Sequence, residues 1–281
     1  MQEVTSIPMA NPVSAISRGT VAMARTLAVN RQLLGAITRV ELSKRYAGSV
    51  LGMAWLVLQP ALYLSVYLFV YLVLFKGQVS GFSRLGYVLY VFCGLVPYLG
   101  MIDAISLGAV SIKQNIHLVK NVMLPIELVP VRAVLVASIS QAVGLAVVIL
   151  LSALNGTLTF HVLWLPLIWA LQVMMLCGLA WILSSIAVGL PDISYFISLF
   201  MFLLMWVSPI GYTVEMVPKS LAAVLYLNPV FYLLEVYRDS LLLGRFPTLH
   251  VALVYTALSL FFFAVGSAFF RAFRGVLLDY E

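Results

Sequence analysis

Residues 44–60 read KRYAGSVLGMAWLVLQP. Two cations lead into a glycine-spaced apolar run that carries Tyr46, Trp55 and Pro60. From Tyr46 to Phe75 there is no Asp, Glu, Lys or Arg. A transmembrane helix needs roughly 20 apolar residues to cross about 30 Å of hydrocarbon. A core helix of a water-soluble domain would not stay uncharged for so long. The stretch therefore reads as the passage of the chain from a membrane surface into the bilayer. Lys44 and Arg45 sit at the headgroups, and Tyr46 and Trp55 bracket the interface. Gly48 and Gly52 form a small-xxx-small pair that allows close approach of helix backbones.

Composition agrees. Hydrophobic residues make up 63% of the 281 and charged residues 9%, against about 45–50% and about 25% in soluble domains. There is too little polar surface to cover a water-soluble globule. The net charge of +6 does not point to nucleic acid, because the cations sit at the edges of apolar runs. Cys93 and Cys177 lie apart inside such runs, and His117, His161 and His250 are scattered, so no metal site or disulfide is expected. No cleavable signal peptide is evident before Arg45.

The uncharged runs predict an all-α integral membrane protein with six spans, near residues 53–75, 86–111, 129–152, 162–188, 193–212 and 247–270. Asn155-Gly156-Thr157 marks the turn between the third and fourth. Between the last two, Ser220–Leu234 is uncharged but too short to cross at about 1.5 Å per residue. Asn228-Pro229 reads as a helix cap followed by Pro at the first helical position. Residues 217–243 are thus expected as two short helices that dip into the membrane and return. A helix pair lying on the outer leaflet is the rival reading. Six spans put both termini on one side. That side holds Arg18, Arg25, Arg31, Arg39, Lys44, Arg45, Lys113, Lys120, Arg132, Arg271 and Arg274. The other holds only Lys76, Arg84, Lys219, Arg238 and Arg245, which predicts cytoplasmic termini.

Three regions follow: a cytoplasmic tail over 1–27, an interface helix over 28–45 and the six-span domain over 46–281. In the second, Val29, Leu33, Ile37 and Val40 recur at helical spacing opposite Arg31, Arg39 and Lys44. Such an amphipathic helix suits the inner membrane surface or a docked partner.

Catalytic signatures are missing. There is no phosphate-cradling G-x-x-x-x-G-K-[ST], no H-E-x-x-H and no G-x-S-x-G. Ionisable residues at membrane depth are few. Asp103 stands alone in the second span and is placed in its outer half, either packing or lining a pore. Glu235, Arg238 and Asp239 fall at i, i+3 and i+4, where they can pair on one face. Aromatics are more suggestive. Tyr63, Tyr67, Tyr71 and Phe75 make one slowly turning stripe on the first span. Tyr195, Phe196, Phe200 and Trp206 come close to a second on the fifth. Stacked rings with hydroxyl handles suit a sliding sugar polymer; interfacial belting or simple packing would use the same residues.

Four motifs resemble one known family. RYAGSVLGMAW at 45–55 with Pro60, VKNVMLPIELVP at 119–130, SPIGY at 208–212 and YLNPVFY at 226–232 are similar to segments of ABC-2 type permeases that export polysaccharides, the Wzm/TagG-like group handling O-antigen, capsule or teichoic acid. The resemblance implies a homodimeric channel in the bacterial inner membrane, worked by two separate cytoplasmic ATPase subunits. ATP and Mg would belong to those subunits, with no cofactor on this chain. It also implies that the amphipathic helix and the loop after the second span contact them, which makes Val29, Leu33, Ile37, Val40, Asn115 and His117 the coupling candidates. The opening stretch then becomes an elbow that passes motion into the first span. Relatives often carry Arg-Asp before the fifth span; this chain has Pro191-Asp192.

The leading expectation is therefore a permease for a polysaccharide linked to an undecaprenyl-diphosphate type carrier. Arg31, Arg39, Lys44, Arg45 and Lys120 are the candidates to meet its diphosphate. The alternative is an ABC-2 permease for a small lipophilic drug or lipid. A membrane transferase would need converging acids or a histidine, and a proton-coupled carrier more buried carboxylates; neither pattern is present.

Overall fold

The computed structural model describes residues 12–70, 83–116 and 124–279. Within them the regular structure is helical. The helices are α1 (Pro12–Val29), α2 (Arg31–Tyr46), α3 (Trp55–Leu68), α4 (Arg84–Gln114), α5 (Leu128–Leu154), α6 (Leu165–Gly189), α7 (Ile193–Val207), α8 (Lys219–Leu227), α9 (Pro229–Leu241) and α10 (Leu249–Asp279). Among the described residues four helical stretches are long and apolar enough to cross a membrane: Leu85–Gln114, Leu128–Leu154, Phe160–Gly189 and Leu249–Gly275. They coincide with the second, third, fourth and sixth expected spans. The expected first span enters as α3 and continues into residues outside those described.

Helix α4 is central. It packs against α5, α6, α7 and α9, and Leu89, Cys93, Tyr98 and Ala104 on it are fully buried. Helices α6 and α10 meet backbone to backbone. A Cβ on Gly178 would overlap the carbonyl of Phe262, and one on Gly266 would overlap Gly178 itself. Small residues at such crossings let helices approach closely enough for dispersion to hold them.

The opening stretch forms a turn between α2 and α3. Gly48 has φ +79° and Gly52 φ +49°, and nothing lies within 4 Å of where their Cβ atoms would be. The glycines serve left-handed backbone, not the close helix contact expected from their spacing. Trp55 Nε1 closes the turn by donating to Ser49 Oγ at 2.9 Å.

Residues assigned to the tail include α1, which lies along α10. Thr20 Oγ1 and Ser267 Oγ are 3.2 Å apart. Arg274 pairs with Glu127 at 3.2 Å, and Arg132 with Glu41 of α2 at 3.6 Å. The Thr20 and Glu41 contacts fasten the two leading helices to the bundle, and the Arg274 pair ties α10 to the start of α5.

Helix α7 spans 15 residues and stops at Val207, short of the expected end near 212. Pro209 explains it, since the residue before a proline is pushed into extended backbone; Ser208 has ψ 140°. The carbonyls of the non-helical segment are then taken by side chains. Arg238 donates Nη2 to Pro209 O and, at 3.0 Å, to Ile210 O. Tyr87 donates its hydroxyl to Gly211 O at 2.7 Å, and Tyr90 to Tyr212 O at 3.1 Å. Asn228 Nδ2 donates to Ser208 Oγ at 2.9 Å, while its Oδ1 accepts from Val230 N at 2.9 Å and caps α9.

Arg238→Ala should unfold at a markedly lower temperature. It leaves two buried carbonyls without donors, at about 1–3 kcal/mol each. Arg238→Lys should recover only part of the loss, because an ammonium lacks the planar fork. Thermal unfolding in lipid nanodiscs measures both.

Candidate functional site

A cleft of about 370 Å³ opens between α3, α4, α5 and α7. Its walls mix two chemistries. Trp55, Tyr63 and Phe202 bring aromatic faces; Gln59, Asp103, Ser140, Gln141 and Ser198 bring polar groups. The sequence positions them through helical periodicity. Gly100 and Asp103 share a face of α4, and Gln141 and Gly144 share a face of α5. Close approach of α4 to α5 is permitted at Gly144, where a Cβ would come 2.8 Å from Val96 Cγ1.

Asp103 is held by Arg45, whose Nη2 donates to Oδ2 at 2.8 Å. The pair joins the end of α2 to α4. It places Asp103 beside the elbow that follows α2. Helical spacing could not disclose this partner, 58 residues away in the chain.

Across α7 lies a second cavity of about 380 Å³, between α4, α6, α9 and α10. Every lining side chain there is apolar, Phe196, Phe200, Leu204 and Phe262 among them. The two cavities thus flank one helix, and Met201 borders both.

The expected aromatic stripes divide accordingly. Tyr63 faces the mixed cleft, whereas Phe196 and Phe200, stacked at 6.2 Å, face the apolar crevice. Tyr195 is exposed, and Trp206 packs edge-to-face on Phe202 at 6.4 Å. Tyr71 and Phe75 lie outside the described residues, and for Tyr67 only the backbone is described. Of the diphosphate candidates, Arg31, Arg39 and Lys44 are exposed and Arg45 is engaged by Asp103; Lys120 lies outside the described residues. Of the coupling candidates, Val29, Leu33 and Val40 are exposed and Ile37 is half-buried, while Leu34 and Thr38 turn inward. Asn115 ends α4 and donates to Ser111 O at 2.8 Å; His117 lies outside the described residues.

The polar cluster of α9 is structural in its contacts. Glu235 meets Arg238 at 3.3 Å, and the Arg238 guanidinium stands 3.7 Å over the Tyr90 ring. Asp239 pairs instead with Arg245, at 2.6 Å. Among the described residues no group of His, Cys, Asp and Glu is placed to hold a metal ion.

Residues 32–242 match the family described as ABC-2 type transporter. The chain belongs to that family. As an ABC-2 permease it is similar to the O-antigen export system permease protein RfbA of Myxococcus xanthus, at 25% identity over 90% of this chain and 97% of the relative. An O-antigen export permease RfbA of Klebsiella pneumoniae is 24% identical over 79% of this chain and 85% of its own. The polysialic acid transport protein KpsM of Escherichia coli is 23% identical over 89% and 96%. This ABC-2 permease is thus a multi-pass membrane protein homologous to polysaccharide export permeases.

Gln59, Ser140, Gln141, Ser198 and Phe202 were not singled out from sequence. A signal existed for one: Gln141 is a primary amide deep in the uncharged run from Ala133 to Pro191. A double-mutant cycle with Arg45→Gln and Asp103→Asn should give a coupling of about 0.2–1 kcal/mol, as for partly exposed pairs. The coupling should shrink with added salt when read from thermal unfolding.

Proposed function

We propose that this permease is the membrane subunit of an ATP-driven exporter for a polysaccharide carried on a lipid diphosphate, in the bacterial inner membrane. One observation carries the reading. Helix α7 separates a cleft of hydroxyls, amides and aromatic faces from a crevice that is wholly apolar. A sugar chain attached to a long isoprenoid has two parts of matching chemistry. Sugar rings offer an apolar face to Trp55, Tyr63 and Phe202 and hydroxyl edges to the polar groups; a hydrocarbon tail suits Phe196, Phe200 and their neighbours. Exposed Arg31, Arg39 and Lys44 are suited to the diphosphate. The names of the relatives support the substrate class.

In this reading the chain crosses the membrane six times with both termini cytoplasmic, and α8 and α9 form a re-entrant pair anchored by Arg238. The exposed apolar sides of α3 and α7 are contact surfaces for lipid and for a second copy of the chain. Two ATPase subunits, binding ATP and Mg, press on the exposed stripe of Val29, Leu33 and Val40. The Arg45–Asp103 ion pair then couples α2 to the cleft wall. No nucleic acid is involved.

The purified permease alone should hydrolyse no ATP, and co-purification with an ATPase subunit encoded beside it should restore hydrolysis. Disruption of the gene should remove polymer from the cell surface. Tyr63→Ala should lower surface polymer about 2- to 10-fold, the range for one aromatic contact, with assembly unchanged by gel filtration. Normal surface polymer after disruption would overturn the reading.

A further inference from the structure

Helix α2 turns charge toward the bundle. Its buried residues are Leu34, Thr38 and Tyr46. Glu41 and Arg45 continue the line of Leu34 and Thr38 at helical spacing, while Leu33 and Val40 stay exposed. Little apolar surface holds the helix on α5, so its charged groups decide where it sits.

The two charges are answered crosswise. Glu41 meets Arg132 of α5 at 3.6 Å, and Arg45 meets Asp103 of α4 at 2.8 Å. The bundle thus offers a cation to the acid of α2 and an acid to its cation. A slide of one helical turn would bring Arg45 onto Arg132 or Glu41 onto Asp103, like against like. Arg132 is buried, and among the described residues Glu41 is the carboxylate that reaches it. Loss of Glu41 leaves a buried cation unpaired.

A released α2 has a second arrangement to adopt. Glu41 stands four residues before Arg45, the order and spacing at which an acid and a base pair on an isolated helix. Docked, each is drawn to a different helix; released, they can take one another. Release also strips Asp103, which lines the cleft, of its cation. It frees α3, which follows α2 through the glycine turn and brings Trp55, Gln59 and Tyr63 to the same cleft.

We propose that Glu41 and Arg132, with Arg45 and Asp103, are positioning residues for transport. They latch α2, and through the turn α3, onto the cleft walls, and the ATPase stroke exchanges the two pairs for a Glu41–Arg45 pair. The proposal rests on the reading of this chain as an ATP-driven permease and adds which side chains hold and release the moving part.

The test uses the full chain in nanodiscs. Thr38→Cys puts a thiol under the latched helix, at a position 4% exposed; the native Cys93 and Cys177 are buried too. Maleimide reaches position 38 through the released helix, so the labelling rate reads the released fraction. Glu41→Arg with Arg45→Glu keeps the net charge but opposes both bundle partners. It should speed labelling about tenfold or more, the equivalent of a charge-assisted hydrogen bond. Adding Arg132→Glu and Asp103→Arg should slow it again. Because reversal at buried Arg132 endangers folding, Arg45→Glu rescued by Asp103→Arg tests the half-buried pair by itself.

In the complex with an ATPase subunit, the reversed helix should keep ATP hydrolysis while surface polymer falls, and the restored pairs should bring polymer back. A merely structural role would lower both together. Unchanged labelling in the reversed helix, or no rescue by Asp103→Arg in folded protein, would overturn the latch. Faster labelling with normal surface polymer, in cells where gene disruption removes it, would overturn the transport role and leave the export reading. A rescued latch with polymer unaffected by gene disruption would overturn the export reading, and the transport role with it.

Discussion

Every polar backbone group buried in an apolar interior needs a partner within the protein, because its apolar surroundings supply none. The segment 208–212 leaves the helix at Pro209 and would expose a row of carbonyls. Arg238, Tyr87 and Tyr90 meet that need from α9 and α4. The same guanidinium lies on the Tyr90 ring and against Glu235, so its charge is neutralised as well as used. The position of α9 follows from this clasp. So does the direction in which α7 ends, and with it the wall shared by the two cavities.

The gross architecture was legible because its signal is long and repetitive. Uncharged runs from Tyr87 to Ile102 and from Ala133 to Pro191 leave few alternatives to buried or lipid-facing helix. Asn228-Pro229 announced a helix start through local chemistry alone. Features that depend on distant partners were not legible. Asp103 finds Arg45 only after α2 and α4 are packed, and Asp239 chooses Arg245 over the nearer Arg238. Gly48 and Gly52 were misread because spacing alone does not separate a packing glycine from one needed for its backbone angle.

The aromatic pattern shows the same limit. Residues two apart on a helix stand about 200° from one another, on nearly opposite sides. Phe200 and Phe202 are two residues apart, and one borders an apolar crevice and the other a mixed cleft. Periodicity gives the angle but not what stands opposite. The amide network of Gln141, Gln172 and Tyr237 draws on three helices, so no single stretch could disclose it.

The Gly178–Gly266 crossing has a mechanical corollary. Helices in backbone contact have no side-chain cushion between them and cannot slide or roll independently. Helices α6 and α10 therefore behave as one strut, with α4 clamped against it. Over its described residues helix α3 has no such crossing, and it follows a glycine turn at its foot. A swing of α3 against that fixed frame would hinge at this turn and leave the opposite side of the cleft stationary.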